Sequence, residues 1–176
     1  MHVIQYVATT ADNAESAHSH VKSYLETQLG DDHTYRAWFD WFIVGGGRWS
    51  TAPDPYDDEW IVDVVHQDSP KFQEYLDNAH KWKLEAAAFD LKSAREIDLN
   101  DVFDKIENNQ EGLYPMFAEA NKLYSFKRLY DHVAGNWGPD SYFFDIISDC
   151  THPTYMKQGI DNGDKNWYIV PVDFHY

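Results

Sequence analysis

The sequence predicts an α+β fold: one antiparallel sheet with a ferredoxin-like core, helices on one face, and a helical insertion at residues 67–134. Three observations predict it. Stretches rich in β-branched and aromatic residues sit towards the two ends of the chain, while the middle carries helical periodicity. Hydrophobic residues make up 43% of the chain and aromatics 16%, ample apolar area for a packed core and too much for disorder. A length of 176 residues suits about one domain. No repeat, low-complexity tract or linker divides it, so residues 1–176 read as a single domain.

His2 to Thr9 predicts a first strand through Val3, Ile4, Tyr6 and Val7. Asp12 or Asn13 caps a helix that runs to about Leu29, with Gly30 as its C-cap. Ala14, Ala17, Val21, Tyr24, Leu25 and Leu29 step by three or four and give it one buried face. After a turn at Asp31-Asp32, the aromatic run Tyr35 to Val44 predicts a second strand. It is apolar on both faces, hence central, and Gly45-Gly46-Gly47 ends it. Pro53 to Glu59 is a loop and Trp60 to His66 a third strand.

Ser69-Pro70 starts a helix, Ser as cap and Pro at the first helical position, reaching about Ala94. Asp98 or Asn100 restarts helix through Ile106, and Pro115 opens another through about Val133. Gly135 to Pro139 is a loop, and Ser141 to Ile147 a buried strand. Asn162-Gly163 marks a hairpin-like turn before a last strand, Trp167 to Phe174. Pro171 within it implies an edge position or a bulge.

Charge narrows the function classes. The chain has 30 Asp and Glu against 14 Lys and Arg, a net charge of -16, and residues 1–66 hold 11 acids against 3 bases. A chain this acidic has no broad basic face for nucleic acid. One cysteine, Cys150, excludes an internal disulfide framework and any multi-cysteine metal site. No run of about 18 apolar residues predicts a membrane span. The segment from Met1 to Ser16 has neither the basic start nor the apolar core of a signal peptide, so none is expected. No motif marks a catalytic residue, a cofactor or a metal.

Two residue sets carry functional expectations. The first is the acidic loop Asp54, Tyr56, Asp57, Asp58, Glu59 and Trp60. Carboxylates on a rigid fold imitate phosphates, and neighbouring aromatics anchor an interface with a basic protein surface. Asp31-Asp32 and Asp161 with Asp164 are further acidic clusters. The second set surrounds the glycine turn: Asp40, Trp41, Gly46, Gly47, Arg48, Trp49 and His175. There Arg48, stacked on Trp49 and paired with Asp40, would lock the turn or hold an anion. Trp41 or Trp49 would stack on a ring, and Asp40 or His175 would supply acid–base chemistry. The Gly-Gly-Gly-Arg spacing fits neither a Walker loop nor a dinucleotide fingerprint.

Other clusters read as ordinary structure. Asp173 and His175 share a strand face and would form a metal site only if Asp145, Asp149 and His152 converged on them. Cys150 reads as an inert thiol despite His152 nearby. His18 and His20 read as surface. Lys122, Lys127 and Arg128, interleaved with Tyr124, Phe126 and Tyr130, read as a solvated helix face.

Asp40-Trp41, Gly46-Gly47-Arg48-Trp49 and the C-terminal Val172-Asp173-x-His175 give the chain its one resemblance. Over about two dozen residues it resembles small uncharacterised proteins of tailed bacteriophages. That resemblance implies a phage origin, expression in the cytoplasm of a bacterial host, and an accessory role such as counter-defence (anti-CRISPR activity is one form). It carries no established activity with it.

The leading expectation is therefore an acidic phage-type protein that inhibits or retargets a host or defence protein by occupying its basic surface. It would bind no nucleic acid directly and no membrane, and needs no cofactor. The alternatives are a small-ligand module or enzyme at the Gly45–Arg48 turn and a self-assembling structural protein, a homo-oligomer.

Overall fold

A computed structural model describes residues 1–29, 37–54, 57, 60–108, 123–161 and 166–176, apart from the side chains of 157, 159 and 161. The elements are β1 (His2–Thr10), α1 (Ala14–Leu29), β2 (Trp41–Val44), β3 (Val65–His66), α2 (Pro70–Arg95), α3 (Leu99–Glu107), α4 (Tyr124–Ala134), β4 (Phe143–Asp145), α5 (Pro153–Asp161) and β5 (Trp167–His175). Short 3-10 turns lie at Gly47–Trp49 and Pro139–Ser141.

The α+β class holds, but the sheet is mixed. Its order is β2-β5-β1-β4, with β3 also paired to β5. β1 and β5 run antiparallel over nine residue pairs, His2 opposite His175 through Thr10 opposite Trp167. β4 lies parallel to β1. Helices cover both faces. Ala17, Val21 and Leu25 of α1 pack with Val7, Val44, Val170, Val172 and Phe174 on one side. Phe72, Tyr75, Leu76 and Ala79 of α2, with Met156 of α5, pack with Ile4, Tyr6, Ala8 and Ile169 on the other. The one-faced antiparallel arrangement of a ferredoxin-like core is thus not confirmed. Strands β1 and β5 explain the two layers, because both are buried along almost their whole length and need cover above and below.

The capping signals act as read. Asn13 Oδ1 accepts from Ser16 N at 2.8 Å, and Asp98 Oδ1 from Asn100 N at 3.0 Å. Ser69 caps α2 with Pro70 in its first turn. Other boundaries moved. Tyr35 lies outside the described residues; among those described the second strand is Trp41–Val44, and it sits at the sheet edge, not the centre. The third shrinks to two residues, and the helix at 153–161 has no counterpart in the expectation. Pro171 lies in a central strand. It is tolerated because β2 pairs with Val172–His175 and β3 with Tyr168–Ile169, leaving Pro171 at the gap between them. Its carbonyl accepts from Gly45 N at 2.8 Å, on the side where its own N–H is missing. Gly30, Asp31-Asp32, Pro115, Lys122, Asn162-Gly163 and Asp164 lie outside the described residues.

A carboxylate ties the loop after the glycine turn to α2. Asp63, buried to 3% exposure, accepts from Thr51 N at 2.7 Å, Ser50 Oγ at 2.9 Å and Lys71 Nζ at 2.8 Å. Burial pushes its pKa up, but the bonds from Lys71, Thr51 and Ser50 outweigh this and hold it below the usual carboxylate range.

Candidate functional site

Alternation along β5 places Ile169, Asp173 and His175 on the face that α2 covers. Register then sets His2 of β1 and Trp41 of β2 on either side of His175. The apolar layer thereby ends in a polar and aromatic cluster. Asp173 is fully buried within it. Its Oδ1 lies 2.8 Å from His2 Nδ1, and its Oδ2 accepts from Arg48 N at 3.3 Å. Arg48 Nε is 3.5 Å from the same oxygen.

The glycines make this approach possible. Gly47 has φ +49°, and a Cβ there would lie 2.4 Å from Asp173 Cβ. Gly45 has φ +94°, and a Cβ there would lie 2.5 Å from the Trp60 carbonyl oxygen. Only residues without side chains let the turn sit on β5 and carry Arg48 over Asp173.

A second carboxylate–imidazole pair adjoins the first. His175 Nδ1 lies 2.6 Å from Asp40 Oδ1. That bond to His175 holds the Asp40 carboxyl below its usual range. A carboxylate only accepts, so Nδ1 of His175 carries the proton, and its Nε2 faces the Met1 ammonium at 3.4 Å. The same reasoning applies to His2 against Asp173. Trp41 stacks on His175 with ring centres 5.1 Å apart, and His2 meets both rings edge-on at 5.0 Å. The guanidinium carbon of Arg48 lies 5.8 Å from the Trp49 ring centre. Arg48 and Trp49 are exposed, at 44% of the side chain and 45%.

The structure brings Asp40, Trp41, Arg48, Trp49 and His175 to one strand end, with pairings other than those expected. Arg48 meets Asp173 and not Asp40; Asp40 meets His175. His2 joins the cluster without any local sequence signal, because only β1–β5 register brings it there. No match to this chain is found among models of known protein families, curated proteins or solved structures.

Of the acidic loop, Asp54 and Asp57 are exposed and Trp60 is 37% exposed. Tyr56, Asp58 and Glu59 lie outside the described residues. Asp145 does not reach Asp173, because β1 separates β4 from β5. Its carboxylate instead accepts from Ile147 N and Ser148 Oγ. Cys150 Sγ accepts from His152 N at 3.4 Å. His18 is buried in α1 and not on the surface.

On α4, Tyr124, Phe126, Lys127 and Tyr130 are exposed as expected of a solvated face, but Arg128 turns inward. Arg128 is half-buried, bonding Asp90 and lying 3.7 Å from Asp140. It lines a cavity of about 420 Å³ together with Trp38, Lys83, His132, Trp137 and Tyr176. Lys83 is buried there, its Nζ donating to Thr151 O at 3.0 Å and Thr151 Oγ1 at 3.1 Å. Burial pushes its pKa down to about 8.

Proposed function

We propose that the chain binds a small anionic ligand carrying a ring at the strand-end cluster. Arg48 pairs with the anion, Trp41 or Trp49 stacks on the ring, and His2 and His175 exchange protons with it. The observation that carries this reading is the adjoining of two carboxylate–imidazole pairs, His2 with Asp173 and His175 with Asp40. Each pair fixes one ring nitrogen, and the other nitrogen of His175 faces the Met1 ammonium at 3.4 Å, a second cation beside Arg48 at the same strand end. A merely structural Arg48 would not call for two oriented histidines and exposed tryptophans beside it.

The test is a ligand screen over nucleotides and aromatic carboxylates, read by chemical-shift changes at His2, His175 and the tryptophan indoles. Arg48→Ala should abolish binding and change stability by less than about 1 kcal/mol, since its ion pair is partly exposed. Unchanged binding in that variant, or no hit confined to these residues, rejects the reading.

A second reading is supported by exposed Asp54, Asp57 and Trp60 together with a net charge of -16. In it, the chain is an acidic phage-type protein in a bacterial cytoplasm. It occupies the basic surface of a host or defence protein and imitates nucleic-acid charge. Capture from bacterial lysate at about 0.1 M and about 0.5 M salt separates the readings, because screening differs strongly between them. One partner, released by salt and lost on Asp54→Lys with Asp57→Lys, supports it. Binding untouched by charge reversal rejects it.

A further inference from the structure

We propose a second site, independent of the first: a divalent transition-metal ion held by Asp90, His132 and Asp140. The three come from different elements, Asp90 from α2, His132 from the last turn of α4 and Asp140 from the 3-10 turn before β4. One donor atom from each lies within 4.8 Å of the other two. One imidazole with two carboxylates suits zinc and its first-row neighbours better than calcium or magnesium, which favour all-oxygen shells.

Arg128 pairs with Asp90 and Asp140 here, and a second observation adds to that ion network. Asp90 is fully buried and the His132 side chain is 8% exposed. Arg128 engages Asp90 Oδ1. The other oxygen, Oδ2, faces His132 Nε2 at 3.4 Å, yet neither atom makes a hydrogen bond. The two atoms stand at ion-pair distance without a hydrogen bond, as does the buried Nε of Arg128 beside them, so the cluster keeps unused ligand capacity. Tetrahedral zinc, with bonds of about 2.0–2.1 Å to nitrogen and oxygen, sets neighbouring donors about 3.3 Å apart. The observed separation fits that edge.

Three protein ligands leave a fourth position open, as in zinc sites that act on a bound molecule. His132 and Asp140 line the 420 Å³ cavity, so the open position faces it. Lys83, Lys127 and Arg128 line the same cavity. With Arg128 charged, two carboxylates do not neutralise a dication, so an anionic oxygen, from a carboxylate or a phosphate, is the favoured fourth ligand.

Cobalt(II) titration of the full chain tests the site, followed by visible absorption, with zinc as competitor. One equivalent should bind and develop d–d bands that zinc removes. His132→Gln and Asp140→Asn should each weaken binding about tenfold or more, while His175→Gln leaves it unchanged, which excludes His175 of the strand-end cluster as the ligand. Zinc should also raise the melting temperature of the wild type in a concentration-dependent way. Asp140 is partly exposed, so Asp140→Asn keeps the fold if His132→Gln does not, and it should lose that rise. Failure of the wild type to bind one equivalent overturns the proposal. So does binding that survives Asp140→Asn undiminished, or that is lost with His175→Gln.

Discussion

Asp63 and Asp173 are both buried carboxylates beside the glycine turn, and they are used differently. Asp63 is surrounded by donors: Thr51 N, the hydroxyls of Ser50 and Thr51, and Lys71. It spends all its capacity on the loop and the first turn of α2. Asp173 holds His2, whose side chain is mostly covered, and Arg48, whose side chain is exposed. Burial alone does not separate a clamp from a site. What separates them is which donors they gather: Asp63 takes one loop and the first turn of α2, Asp173 the imidazole and guanidinium of the aromatic strand-end cluster.

The largest effect should come from breaking the clamp. Asp63→Ala orphans Thr51 N and the Lys71 ammonium together and should cost about 3 kcal/mol in urea unfolding. Its folded pKa is depressed, so its stabilisation is present above the ordinary carboxylate range and is lost as pH falls through the folded value. Asp63→Ala should therefore flatten the acid limb of the stability profile. Ligand binding at Arg48 should persist in the folded fraction. If it vanished with the fold intact, clamp and site would be one unit and the contrast would fail.

Lys83 is a third arrangement, a buried ammonium hydrogen-bonded to Thr151 with no carboxylate bonded to it. Its pKa falls from 10.5 to about 8 in the folded chain. Between those values the unfolded chain binds more protons, so stability rises with pH through that window. The rise attributable to Lys83 is on the order of 3 kcal/mol. Lys83→Met should abolish it, read as the difference between wild-type and variant unfolding from pH 8 to pH 10.5. An identical slope in both would place the charge in water. It would also remove Lys83 from the cavity wall.

Gly47→Ala should act next in size. The alanine Cβ would meet Asp173 at a φ of +49°, costing about 2 kcal/mol. It should lift Arg48 off β5 and shift the His2 and His175 resonances, leaving the Ser50–Asp63 contact in place. Movement at Asp63 of similar size would show that the turn is a rigid unit serving both carboxylates.

How much of this was legible in the sequence follows from the range of each interaction. Caps such as Asn13, Ser69 and Asp98 act within one helical turn, and local sequence reports them. The glycine-turn set was legible because Asp40 to Trp49 is contiguous and His175 ends an aromatic strand. The partner exchange was not, since Asp40 is near Arg48 in sequence but β5 delivers Asp173 between them. His2 was hidden by register, and Asp90, His132 and Asp140 by helix packing across about fifty residues. The central place of β5 was obscured by Pro171, whose missing N–H falls where two partner strands leave a gap.

The smallest effect tests the finest part of the contrast. Asp40 is exposed, so losing its bond to His175 should scarcely change stability. The bond nonetheless sets the carboxyl below 3.8 and fixes which ring nitrogen carries the proton. His175→Ala should return the Asp40 carboxyl to its ordinary value by NMR titration, while Asp63 stays depressed. Asp40→Asn should leave the fold unchanged but let His175 switch tautomer, seen in its nitrogen-15 shifts, and weaken ligand binding more than stability. A clamp residue shows the reverse ratio. If Asp40→Asn unfolded the chain as readily as Asp63→Ala, the two carboxylates would be doing the same work, and the strand-end cluster would be only a second clamp.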